Sequence, residues 1–156
     1  KRFPKHSLKM NCKKLIVHAG THFSKSYIPN VENISLKPNF MMLVYPVISM
    51  KDELAHLGSR QNLLGKNPSK EQILLFSNEL NVSPNTPPTW ITHTGDDNVV
   101  TVENSIRFYQ NLIRSKVPAE MHLYPKGNHG FVLGLPTDEW MQPLFDWMGK
   151  SGFVTW

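Results

Sequence analysis

Three ionisable side chains in this 156-residue sequence sit where chemistry is commonly done: Asp96, Asp97 and His129. The two acids close the stretch PPTWITHTGDDNVV (residues 87–100), and the histidine closes EMHLYPKGNHGF (residues 120–131). Each stretch reads as a strand that ends abruptly in a loop. An acid that orients a histidine fixes its tautomer and stabilises the imidazolium formed when the ring takes a proton from a nucleophile. Asp97 and His129 lie 32 residues apart, which leaves room for one helix and one strand. Parallel neighbouring strands joined by one crossover deliver both loops to the same sheet edge, where open α/β sheets keep their ligands. Taken singly, each residue also has a plainer reading. Asp at a strand exit caps turns, and a histidine between Gly127-Asn128 and Gly130 suits an exposed tight turn. A Mg²⁺ site on paired Asp96 and Asp97 needs further oxygen ligands, and none stands at another strand end.

The remaining histidines divide in two. His93 lies within a strand pattern and reads as a packed, hydrogen-bonded residue, whereas His18, His22, His56 and His122 show no zinc-ligand spacing. Cys12 is the single cysteine, so no internal disulfide forms.

The elements that must position the acid and the histidine follow from periodicity and punctuation. Residues 40–48 (FMMLVYPVI) form the clearest strand, continuously apolar as in a sheet covered on both faces, with Pro46 ending the pairing. Residues 89–94 and 119–124 are the second and third strands. Residues 102–116 form an amphipathic helix with Ile106, Tyr109, Leu112 and Ile113 on its apolar face, and 138–149 a last helix carrying Trp140, Leu144, Trp147 and Met148. Ser69 stands three residues before Gln72, the spacing of a capping box at a helix start. Residues 51–65 hold a short irregular helix, and residues 15–20 read equally as a strand or the last turns of a helix. The alternation predicts an α/β fold with a parallel sheet and crossover helices. It also leaves the outer edge of the first strand open, for residues 15–18, a missing segment or a partner to cover.

Composition sets outer bounds. Apolar residues make up 40% and charged residues 19%, as in a globular chain, and no run reaches the ~18–20 apolar residues of a membrane span. The net charge of +5 is concentrated in residues 1–14, which read as a basic, irregular segment ahead of a single unit over 15–156. With no basic stripe elsewhere, nucleic acid is not an expected partner. No apolar signal-peptide core follows the basic residues. The first residue is Lys1 rather than Met, so the chain reads as a piece of something longer.

Several stretches together resemble one group of enzymes: Ala19-Gly20-Thr21-His22-Phe23, residues 43–49 (LVYPVIS), Pro87-Pro88-Thr89, residues 93–100 (HTGDDNVV), residues 102–105 (VENS), residues 117–120 (VPAE) and residues 127–131 (GNHGF). The set is similar to the C-terminal half of α/β-hydrolase esterases. The nearest group is the acetyl-xylan-esterase-like and lipase-like carbohydrate esterases, kin to the dienelactone-hydrolase and prolyl-oligopeptidase clans. The resemblance runs from residue 18 to residue 148 and implies a partial α/β-hydrolase fold holding only C-terminal strands and helices. It assigns the triad acid to Asp97 rather than Asp96, and the triad base to His129. It implies a small acyl ester or acetylated saccharide as substrate, no cofactor and no metal.

The departure from that pattern is the nucleophile. A Gly-x-Ser-x-Gly elbow should lie just before Ala19, and the sequence has none. Cys12, followed by Lys13 and Lys14 that favour a thiolate, is the residue standing near the expected place, without the flanking glycines. Ser7, Ser24 and Ser26 lack the context as well. The expectation is therefore a half-site with weak or no activity. The alternative is an association module pairing through its open sheet edge with a second copy or a complementing chain.

Overall fold

A computed structural model describes residues 12–24, 26 and 29–155. Most of the basic segment, with Ser7, lies outside the described residues. Helix α1 spans Cys12–Thr21, strand β1 Met41–Val44, helix α2 Leu57–Leu64, helix α3 Lys70–Phe76, strand β2 Thr89–Thr94, helix α4 Glu103–Arg114, strand β3 Ala119–Tyr124 and helix α5 Thr137–Lys150. Short 3-10 turns occupy Asn78–Asn81 and Phe131–Leu133.

The three strands form one parallel sheet in the order β1-β2-β3, with Leu43 opposite Ile91 and Thr94 opposite Tyr124. Every residue of the central strand β2 is buried. Alternate side chains feed two cores. Met41, Leu43 and Ile91 pack with Val17 of α1 and with Phe108 and Leu112 of α4. Trp90 packs with Leu144 and Trp147 of α5, with Met42, Val44 and Phe40 beside them. Helices therefore cover both faces of the sheet, as parallel pairing requires.

Two sequence expectations change, and one left open is decided. Residues 15–20 are helical, within α1, which is one of the two readings that run allowed. Helical spacing explains it: Val17 is buried while its neighbour Ile16 is exposed, and a methyl at Gly20 would overlap Met41 Sδ, so the helix lies close on the sheet. The outer edge of β1 accordingly receives no strand among the described residues.

The first strand is also shorter than its apolar run. Tyr45 takes φ +39° ahead of Pro46, and its N–H makes the last ladder bond, to Thr92 O at 2.8 Å. Residues 47–50 stay buried without a strand, because side chains satisfy the amides of residues 48–50. Asn104 Oδ1 accepts from Ile48 N (3.1 Å) and Ser49 N (3.0 Å), and Ser77 Oγ accepts from Met50 N (3.0 Å).

The buried face of α4 is rotated from the expected stripe. It runs through Asn104, Ser105, Phe108 and Leu112, leaving Ile113 exposed. Polar Asn104 and Ser105 are buried because each is needed for internal hydrogen bonds, which an apolar-periodicity argument does not see. The capping box at Ser69 is present in full: Gln72 N donates to Ser69 Oγ (3.2 Å), and Ser69 N donates to Gln72 Oε1 (2.9 Å).

Candidate functional site

The site lies where the loops after β2 and β3 meet. Parallel pairing places Thr94 beside Tyr124, so both chains leave the sheet at the same edge. Gly95 N continues the pairing by donating to Tyr124 O at 2.8 Å.

The loop after β2 folds around Asp97. Its Oδ1 accepts from Val99 N and Val100 N, both at 2.9 Å, a local Asx turn that fixes the carboxylate against its own backbone. Its Oδ2 is left for two imidazoles: His129 Nδ1 at 2.8 Å and His93 Nε2 at 3.0 Å. The Asp97 side chain is fully buried. Burial alone would raise its carboxyl pKa. The Val100 amide, His129 and the Val99 amide outweigh that and hold it below the ordinary carboxylate range.

The loop after β3 is built for close approach. Gly127 has φ +141°, and a Cβ there would come within 2.6 Å of Phe131 Cβ. Asn128 takes φ +54° and Gly130 φ +89°. Asp96, the acid not assigned to the triad, clamps this loop: it accepts from Asn128 N (2.8 Å) and Gly127 N (3.2 Å), bonds that lower its pKa. Thr94 Oγ1 donates to Asn128 O at 3.0 Å. Asn128 Oδ1 in turn accepts from His129 N at 2.7 Å and Asn98 N at 3.2 Å. The two loops are thus laced together by bonds that do not involve the imidazole itself.

His129 emerges partly exposed, with 32% of its side chain accessible. Donation from Nδ1–H to Asp97 leaves Nε2 as the unprotonated nitrogen, and it has no hydrogen-bond partner among the described residues. An imidazole so arranged can accept a proton at Nε2 while the carboxylate stabilises the resulting charge. The ring of Tyr45 meets it edge-on, with centroids 4.6 Å apart, and the Phe131 ring lies 5.8 Å from that of Tyr45.

The structure brings Asp97 and His129 together and assigns Asp96 to loop bracing. Cys12 opens α1, and its side chain lies outside the described residues. Ser24 and Ser26 lie in the exposed connection after α1. Two neighbours of the pair escaped sequence reasoning. His93 was legible as packed and hydrogen-bonded, but nothing in its spacing pointed to Asp97. Tyr45 lay inside an apolar run whose early end depends on its own positive φ.

A parallel sheet covered by helices on both faces, with an acid loop and a histidine loop leaving adjacent strands at one edge, is the C-terminal part of an α/β-hydrolase fold. The chain belongs to the prolyl oligopeptidase family, whose family model matches residues 34–152. It is 35% identical over 137 residues to an acetylxylan esterase of Xylanibacter ruminicola, covering 83% of this chain and 28% of that protein. It is 38% identical over 122 residues to endo-1,4-beta-xylanase B of Butyrivibrio fibrisolvens, covering 78% of this chain and 19% of that protein. Among solved structures, an acetyl ester-xyloside bifunctional hydrolase from Caldicellulosiruptor lactoaceticus superimposes with a TM-score of 0.82 at 40% identity. That match covers 92% of this chain and 54% of the other. The chain therefore spans about half of that structure and less than a third of the two sequence relatives.

Proposed function

We propose that this chain supplies the acid and base of a carboxylic ester hydrolase that removes acetyl groups from saccharide esters. His129 Nε2 takes the proton of the attacking nucleophile and returns it to the leaving alcohol, while Asp97 holds His129 in the tautomer that makes this possible. The observation that carries the reading is the 2.8 Å contact between His129 Nδ1 and the buried Asp97 Oδ2, on a histidine whose side chain is partly exposed. The acetyl ester preference is supported by the likeness to an acetylxylan esterase and to an acetyl ester-xyloside hydrolase. No Gly-x-Ser-x-Gly stands in these 156 residues, so the nucleophile and the oxyanion donors come from a complementing segment.

The test is hydrolysis of a chromogenic acetyl ester. The chain alone, and its His129→Ala variant, run at the buffer rate. Co-refolded with the first half of the 40% identical hydrolase, the parent gains activity and the variant does not. Equal activity of parent and variant after co-refolding refutes the assignment. Turnover by the parent chain alone that is lost in His129→Ala places the nucleophile within the chain, with Cys12 the first candidate.

A second reading rests on the edge of β1, which has no strand partner among the described residues. A chain that associates through this edge, with a second copy or another protein, serves as a non-catalytic module. Light scattering decides: a monodisperse monomer at micromolar concentration counts against it.

A further inference from the structure

His93 is fully buried, and every polar atom of its ring is engaged. Nε2 faces the Val100 carbonyl at 2.9 Å and Asp97 Oδ2 at 3.0 Å. The Val100 carbonyl cannot donate and Asp97 is held as the carboxylate, so the proton sits on Nε2 and is shared between them. Nδ1 is then the acceptor and takes the Ser105 hydroxyl at 2.8 Å. One imidazole thus ties β2, the acid loop and the first turn of α4 to one another.

The count at the carboxylate gives this tie a function. Two carboxylate oxygens offer about four acceptor positions. Val99 N and Val100 N occupy Oδ1, and His129 and His93 occupy Oδ2. With four donors on a side chain that no solvent reaches, the carboxylate has one orientation in which all are satisfied. That orientation is the one in which Oδ2 meets His129. Take the His93 donor away and Oδ2 is short of a partner in a dry site. The carboxylate then turns or admits water, and its contact with His129 loosens.

We propose that His93 is a positioning residue for Asp97: its Nε2–H completes the donor shell of Oδ2 and so holds the Asp97–His129 contact in register. The proposal rests on the reading of Asp97 and His129 as the acid and base. A bystander histidine in the core differs in one respect, since only its volume matters. His93→Leu removes the donor and keeps an apolar side chain in the space, whereas His93→Gln keeps an N–H near the Nε2 position.

The test is proton NMR of the 156-residue chain at neutral pH and low temperature, reading the downfield Nδ1–H resonance of His129 hydrogen-bonded to Asp97. The parent shows it, His93→Gln retains it, and folded His93→Leu loses it or shifts it upfield. An unchanged resonance in folded His93→Leu, or its loss in folded His93→Gln, overturns the role of His93 and leaves the acid–base pair standing. Absence of the resonance in the parent overturns both. Should His93→Leu not fold, the ¹⁵N spectrum of histidine-labelled parent decides. A bare Nδ1 with a protonated Nε2 on His93 supports the proposal, and a protonated Nδ1 ends it.

Discussion

Acidification supplies a sharp test of how the site is held. Buried His93 has its pKa lowered from the ordinary 6.5, first by burial. The Val100 carbonyl and the Asp97 carboxylate pull the other way and are outweighed. A histidine whose folded pKa lies below its unfolded value binds its proton first in the unfolded chain. Its contribution is therefore neutral above pH 6.5 and turns destabilising as pH falls below that value, until the folded pKa is reached. In the limit where the folded ring stays neutral, the slope is about 1.4 kcal/mol per pH unit, or about 2 kcal/mol between neutrality and pH ~5. The sign for Asp97 is the same but its window is separate. Its lowered carboxyl pKa adds stability above the ordinary 3.8, which is lost only as pH falls below that value. Urea unfolding followed by tryptophan fluorescence at several pH values from 7.5 to 5 reads the His93 contribution as the difference in slope between the parent and His93→Gln. The parent curve falls more steeply by up to that ~2 kcal/mol, whatever the offset between the two proteins. Coincident pH dependences would show that His93 titrates as freely folded as unfolded, and the account of the site would fail.

Three further outcomes are expected. Asn104→Ala leaves the buried amides of Ile48 and Ser49 without their acceptor, and at about 1–3 kcal/mol for each orphaned group the loss is about 3 kcal/mol, read as a lowered urea midpoint. Gly127→Ala forces a Cβ against Phe131 at φ +141°; it costs about 2 kcal/mol in thermal unfolding and, in the complemented enzyme, lowers kcat by displacing the His129 loop. Asp96→Ala removes the acceptor of the Gly127 and Asn128 amides. Their hydrogen exchange quickens while that of the β2 amides does not change, and equal rates in parent and variant would mean that Asp96 does not brace the loop.

The chain's periodicities were enough to read a parallel α/β sheet, because strand, helix and cap signals are local. The residues of β2 and β3 need only their own β-branched and apolar runs, and the Ser69–Gln72 box lies within one turn. That an acid of the Asp96–Asp97 pair meets His129 was also open to inference, since one crossover leaves little choice of edge, while the choice of Asp97, which the contact bears out, came from the family resemblance. What the sequence left undecided depends on contacts made across the fold. Residues 15–20 became helix through Val17 and Gly20 meeting the sheet, and the strand at residue 41 stopped where Tyr45 turned its ring toward His129. Asn104 and Ser105 were buried because backbone amides 55 and 56 residues away and a ring 12 residues away had to be satisfied. His93 is the clearest instance. Its place in a strand was legible from the sequence, but its role lies in which lone pair of Asp97 it fills, and only the folded arrangement of β2, the acid loop and α4 decides that.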